Sequence, residues 1–153
     1  MHDDRDVTAL GSAAMGVMFY VMSYGHPSSW GARREAHAVH HAAGAIPSGP
    51  ESDLLNAASA RVRLGGASLI PEVDMEIGDN AMVLRKQGEE SILKALPVLD
   101  AMGEAGRDQA REWLLGVAEK VAHAAKDVDG NDDRVSDDER MAIGEVARLI
   151  GAA

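Results

Sequence analysis

The segment from residue 127 to residue 139 carries the strongest chemical signal in the chain. Seven of its residues are acidic and only Arg134 is basic, so it holds −6 of the chain's formal charge of −10. Such a density of negative charge is unfavourable unless water, salt or a bound cation compensates it. Calcium suits an oxygen-rich segment of this kind, since it takes about six to eight oxygen ligands. We therefore predict a calcium site here.

The order of the oxygen-bearing residues resembles an EF-hand loop, in which positions 1, 3 and 5 and a glutamate at position 12 bind the ion. If the loop begins at Asp127 and has the usual 12 residues, its last ligand position falls on Asp138. One inserted residue places Glu139 there instead, and makes the backbone carbonyl of Asp133 the middle ligand. We favour the longer register, which predicts five calcium ligands: Asp127, Asp129, Asn131, Asp133 and Glu139.

The same residues have a simpler interpretation. Ser136 and Glu139 form the S-x-x-E pattern of a capping box, so they are also expected to satisfy free amides at the start of the last helix. The aspartates would then only complement the helix dipole in a solvated turn. The chain contains no second complete loop of this type, so an unpaired site would bind calcium weakly, at about 10⁻⁵ to 10⁻³ M.

A histidine cluster, His37, His40 and His41, is the second candidate site. His37 and His41 are four residues apart, a spacing that holds zinc or nickel on one helical face, and His26 would add a ligand. This pattern keeps a histidine-metal enzyme open as an alternative. The other interpretation is a polar interface stripe that includes Trp30, because no H-E-x-x-H motif accompanies the cluster.

Other chemistry is poorly supported, and we expect no enzymatic activity. The chain has no cysteine, no nucleophile-elbow serine and no phosphate-loop lysine, and it points to no small-molecule substrate. Its acidic balance argues against nucleic acid, whose phosphates need a basic face. Asp74 and Glu76 are expected to face water, or to join the acidic segment in a negative surface for a cationic protein partner.

The apolar stretch 7–22 is expected to be a buried core helix. No charged residue occurs between Val7 and Ala32, but glycine and serine dilute the stretch, and it is short for a membrane span. The chain opens without the basic region of a secretory signal, so a cytoplasmic location is the default expectation. A membrane-associated helix or an exposed partner-binding helix, acting without metal, remains the alternative.

Hydrophobic periodicity predicts an all-α, single-domain bundle of about six or seven helices over residues 1–153. Pro97 is expected to kink or restart its helix. Residues 67–78 stay undecided, because Val73, Met75 and Ile77 alternate as in a strand. Two similar halves, about 4–64 and 79–153, are compatible with a degenerate repeat. The predicted helices span residues 4–23, about 28–43, 51–64, 79–86, 88–101, 107–126 and 136–150.

The last two helices have the clearest apolar stripes. Leu114, Val117, Val121, Ala125 and Val128 recur at steps of three and four residues and should be buried together. In the final helix, Ala142, Val146, Leu149 and Ile150 should face inward, and Gly151 should end it. The acidic segment therefore lies between two amphipathic helices.

Short motifs around the acidic segment carry a family resemblance: Val117-Ala118 and Val121-Ala122 before it, Asp129-Gly130-Asn131 and Ser136-Asp137-Asp138-Glu139 within it, and Glu145-Val146-Ala147-Arg148 after it. Through these motifs the C-terminal third of the chain resembles the TerB family of tellurite-resistance proteins. Asp132-Asp133-Arg134 lengthens the family's shorter turn, and Ser23-Tyr24-Gly25 lacks the acids of its first turn. The resemblance implies an all-helical cytoplasmic protein of stress resistance that binds metal and acts in membrane-linked complexes rather than as an enzyme.

Overall fold

The computed structural model describes residues 4–23, 46–65, 81–129 and 137–151. For residues 123–129, 137–139 and a few others near helix ends it describes the backbone alone. Within these ranges the chain is all-helical, which confirms the predicted class. The predicted helix over 28–43 and the undecided stretch 67–78 lie outside them. The described helices are α1 (Asp4–Met22), α2 (Ser52–Gly65), α3 (Ala81–Ala101), α4 (Glu104–Asp129) and α5 (Asp137–Leu149).

Helix α1 is the centre of the fold, as its uncharged sequence predicts. From Leu10 to Val21 every residue except Ser12 is buried. The helix packs most extensively against α3, and it also contacts α2, α4 and α5. Burying each large aliphatic side chain contributes about 1.5–3 kcal/mol, so this helix supplies much of the free energy of folding. It has no exposed apolar face along this stretch.

Helix α3 crosses α1 at a contact between two glycines. A Cβ atom built on Gly88 would lie 2.5 Å from the carbonyl oxygen of Gly16, and one built on Gly16 would lie 2.8 Å from the carbonyl oxygen of Gly88. Because a real Cβ atom cannot approach an oxygen so closely, any other residue here would push the two backbones apart. The small residues therefore allow the close α1–α3 packing.

The prediction of two separate helices over 79–86 and 88–101 is wrong, because α3 is one helix. Gly88 disfavours a helix in isolation, but the packing on α1 holds it in helical conformation. Pro97 does not restart the helix, which continues to Ala101. Its missing N–H would otherwise bond the carbonyl of Leu93, and both residues are exposed, so water can reach that carbonyl.

Helices α4 and α5 bury the faces that their sequences predict. Leu114, Val117 and Val121 are inaccessible to solvent. Ala142 and Val146 of α5 are also fully buried, and Leu149 packs partly buried against the same core. The side chains of Ala125 and Val128 lie outside the described part. Helix α4 is longer than predicted by three residues at each end.

Helix α5 ends where the glycine signal places its end. Gly151 has a φ of 74°, the left-handed conformation that glycine adopts without strain after a helix. Its N–H donates to the carbonyl of Arg148 at 3.1 Å. The prediction that Gly151 terminates the last helix is therefore confirmed.

Arginines hold both ends of the central helix. Arg61 of α2 donates hydrogen bonds to Asp4 and Thr8 in the first turns of α1. The hydrogen bond from Arg61, helped by its charge, lowers the pKa of the Asp4 carboxyl. At the other end, Arg85 of α3 donates to the hydroxyl of Ser23 at 3.2 Å and to its carbonyl at 3.4 Å. A cation near helix carbonyls is favourable.

Candidate functional site

The predicted calcium ligands lie at the junction of α4 and α5. Asp127 and Asp129 belong to the last turn of α4, and Glu139 belongs to the first turn of α5. Asn131 and Asp133 lie outside the described residues. In the predicted calcium loop Asp127 is position 1 and Asp129 is position 3. Helix α4 therefore extends through the first three positions of that loop. The backbone thus confirms helices on both sides of the acidic segment, while the ligand set stays a prediction.

The helices that flank the acidic segment are both parts of the core. On α4, Trp113 and Leu114 are buried, and on α5 the fully buried residues are Ala142 and Val146. The two helices contact each other, and each also contacts α1. A change of geometry in the segment that joins them would therefore also move buried side chains of the core.

The far end of this helix pair is closed by Arg111. Its Nε donates to the carbonyl of Ile150 at 2.8 Å, and its Nη1 lies 3.6 Å from the carboxylate of Asp108. A Cβ atom added to Gly151 would lie 2.8 Å from Nη2 of the same arginine. The arginine therefore caps the carboxyl end of α5 and attaches it to α4.

An open groove of about 670 Å³ lies beside this contact. Its lining includes the acidic residues Asp108, Glu112 and Glu119, which all project from α4 and are all exposed. Within the described part of the chain, Glu112 and Glu119 form no ion pair. The remaining lining residues are Pro47, Arg111, Leu115, Gly116 and Gly151.

Gln109 attaches the segment before α2 to α4. Its amide is buried, with Oε1 accepting from the backbone N–H of Glu51 at 2.8 Å and Nε2 donating to the carbonyl of Pro47 at 2.7 Å. Nε2 also lies 3.1 Å from the hydroxyl of Ser52. Because both polar atoms of the amide have partners, this contact holds the Pro47 side of the groove in place.

The other predicted sites lie outside the described residues. This applies to His26, His37, His40 and His41, and to Asp74 and Glu76. Within the described part, no group of three or more His, Asp or Glu side chains is arranged to hold a metal ion. The histidine-metal alternative therefore remains a sequence-based hypothesis.

The groove is the feature that sequence reasoning missed. The positions of Asp108, Glu112 and Glu119 opposite the buried stripe of α4 were a usable signal, because residues four and seven apart share a helical face. Neither Pro47 nor Gly151 could be assigned to it, since they come from distant parts of the chain.

Among the described helices, none is both long enough and apolar enough to cross a membrane.

The resemblance to the TerB family has no support beyond the motifs that carry it. Comparisons with protein-family models, with curated proteins and with solved structures found no match to this chain.

Proposed function

We propose that this protein is a non-enzymatic, calcium-binding helical accessory protein that acts by binding other proteins. The ion would be held between α4 and α5 by Asp127, Asp129, Asn131, Glu139 and the backbone of Asp133. Because residues two apart lie on different faces of a helix, Asp127 and Asp129 would share the ion only if calcium unwinds the last turn of α4. The observation that carries the proposal is that the most acidic segment of the chain joins two helices that are both packed on the central helix α1.

Electrostatics and topology support the ion site together. Bringing seven carboxylates into one short connection raises their mutual repulsion, which a divalent cation relieves. Because α4 and α5 both bury apolar stripes, an ion that fixes their connection would restrict the angle between two core helices. Calcium would then select one arrangement of the helix pair, as ligand binding does in calcium sensors.

The accessory role extends the resemblance to TerB. That resemblance implies a cytoplasmic protein that works in stress resistance within membrane-linked complexes. We include the cytoplasmic location and the role in stress-resistance complexes in the proposal. An interaction role without metal is the second candidate. The groove on α4 favours it. Docking through α1, the form in which the sequence suggested this role, is less favoured, because α1 is buried from Leu10 to Val21 apart from Ser12.

Calcium-dependent thermal unfolding tests the ion site. At a calcium concentration 100 times the Kd, binding to the folded state alone stabilises by about 2.7 kcal/mol. For a chain of this length the melting temperature should rise by roughly 5–10 °C. Glu139→Gln should lose most of this shift.

Glu90→Gln is the matched control, since it removes one exposed acid from α3 outside the segment. It should keep the full calcium shift. Sodium chloride at equal ionic strength separates ion binding from simple screening of the negative charge. If the wild-type protein shows no calcium-specific shift at about 10 mM, well above the expected Kd range, the ion site is wrong.

A further inference from the structure

The groove on α4 has the charge of a binding surface for a cation. Three acidic residues line it, and the only basic residue in the lining, Arg111, donates to the Ile150 carbonyl and lies beside Asp108. Glu112 and Glu119 are exposed and have no ion-pair partner in the described part of the chain. The surface therefore offers two carboxylates that no side chain within the described ranges neutralises.

These carboxylates are distributed along the helix rather than gathered around a point. From Asp108 to Glu119 the axis of α4 rises about 16 Å. Within the described residues no cluster of carboxylates is placed to hold a metal ion. An elongated ligand with several positive charges matches this spacing better than a single ion.

The lining is also partly apolar and open. Leu115 and Pro47 are half-buried in it. A Cβ atom added to Gly116 would meet no atom within 4 Å, so the surface of α4 is bare at this point. A ligand backbone or side chain can therefore approach the helix closely here, and the apolar walls favour a peptide over a wholly polar polycation.

We propose that this groove binds a basic, partly apolar segment of a partner protein. The proposal names the partner chemistry of the accessory function above, but it does not require calcium. One wall of the groove includes Gly151 at the end of α5, so an ion that fixes the α4–α5 angle would also adjust the width of the groove. A nucleic acid or an anionic membrane would be repelled by the same carboxylates.

A labelled lysine–leucine peptide of about 15 residues, designed as an amphipathic helix, is a suitable probe. Its binding is measured by fluorescence anisotropy in a calcium chelator, over a range of salt concentrations. Glu112→Gln combined with Glu119→Gln should weaken binding about tenfold at low salt. The control, Asp53→Asn with Glu90→Gln, removes the same charge from exposed positions on α2 and α3 and should change affinity less than about twofold.

A second pair of variants tests the position of the peptide-binding site independently of the total charge of the protein. Gly116→Arg places a cation and a bulky side chain in the groove, and Gly144→Arg places the same group on α5, where an added Cβ also meets nothing. The first should weaken peptide binding at least about tenfold, and the second less than about threefold. Circular dichroism and unfolding confirm that each variant is folded.

Equal losses for Gly116→Arg and Gly144→Arg, or for the two neutralised pairs, would overturn the groove as the binding site. Tight binding of an acidic version of the peptide, or of spermine in place of the peptide, would overturn the proposed partner chemistry. Calcium binding, measured separately on the same variants, keeps the two proposals apart. A protein that binds the peptide in the groove but not calcium would contradict only the ion site.

Discussion

Two pairs of glycines in the helices of this protein have opposite surroundings, one pair at the α1–α3 crossing and the other on the outer faces of α4 and α5. Gly16 and Gly88 lie at the crossing, where an added Cβ would collide with a backbone carbonyl. Gly116 and Gly144 lie where an added Cβ meets no atom within 4 Å. Glycine is thus required at the α1–α3 crossing because a larger residue would collide. On the outer faces of α4 and α5 no neighbouring atom requires it.

This contrast separates glycines required for packing from glycines available for binding a partner. At the crossing, glycine is explained by the neighbouring helix, so its replacement should affect stability. On the outer face of α4, glycine lowers helix stability without any packing benefit, so its replacement should affect what binds there. Substitutions at these positions, and at Gln109 for comparison, should therefore change the free energy of unfolding by very different amounts.

Gly88→Ala should destabilise the protein most. Its Cβ would lie 2.5 Å from the Gly16 carbonyl oxygen and 3.0 Å from the Tyr20 nitrogen, both backbone atoms of a buried helix that cannot move aside cheaply. Overpacking of this kind is expected to lower the free energy of unfolding by about 3 kcal/mol. Urea unfolding measures it, with Gly144→Ala as the control. Wild-type stability for Gly88→Ala would show that α1 and α3 do not cross at these glycines.

Gln109→Ala should have an intermediate effect. It removes the buried amide that bonds the Glu51 N–H and the Pro47 carbonyl, and leaves both groups without these partners. We expect a loss of about 2 kcal/mol in urea unfolding. Gln87→Ala on α3 is the control, since Gln87 is only partly buried. A loss no larger than that of the control would mean that the segment before α2 is not attached to α4 by this side chain.

Gly116→Ala should have the smallest effect, and of opposite sign. Alanine restricts the unfolded chain and favours the helix, and the added methyl group meets no atom within 4 Å. The free energy of unfolding should therefore rise by about 0.5–1 kcal/mol. Gly144→Ala should gain a similar amount, which unfolding midpoints of the two variants would show. A clear destabilisation at position 116 alone would mean that another part of the chain packs on the groove.

Local patterns predicted the helices whose burial is regular along the sequence. The stripe of α5 and the described part of the stripe of α4 were correct because residues three and four apart share a face in any helix. Gly151 was placed correctly because a glycine after an amphipathic run is the usual helix end. The five calcium ligands were predicted from the same kind of local spacing, and the backbone supports only the flanking helices.

Predictions failed where a local signal competed with a contact to a distant part of the chain. Gly88 and Pro97 both disfavour helix, so the division of α3 followed from propensity. The close approach of α1 overrides that propensity at Gly88, and no local pattern near residue 88 contains it. The groove was missed for the same reason, since Pro47 and Gly151 reach α4 only through folding.

The order of the residues was enough to predict a helical protein, with α1 in the core and negative charge concentrated between the last two helices. These properties depend on composition and on periodicity within single elements. The folded chain was needed to show that α3 is continuous, that Gln109 attaches the segment before α2 to α4, and that exposed acids of α4 line a groove. Those features depend on contacts between residues far apart in the chain, which local propensity does not encode.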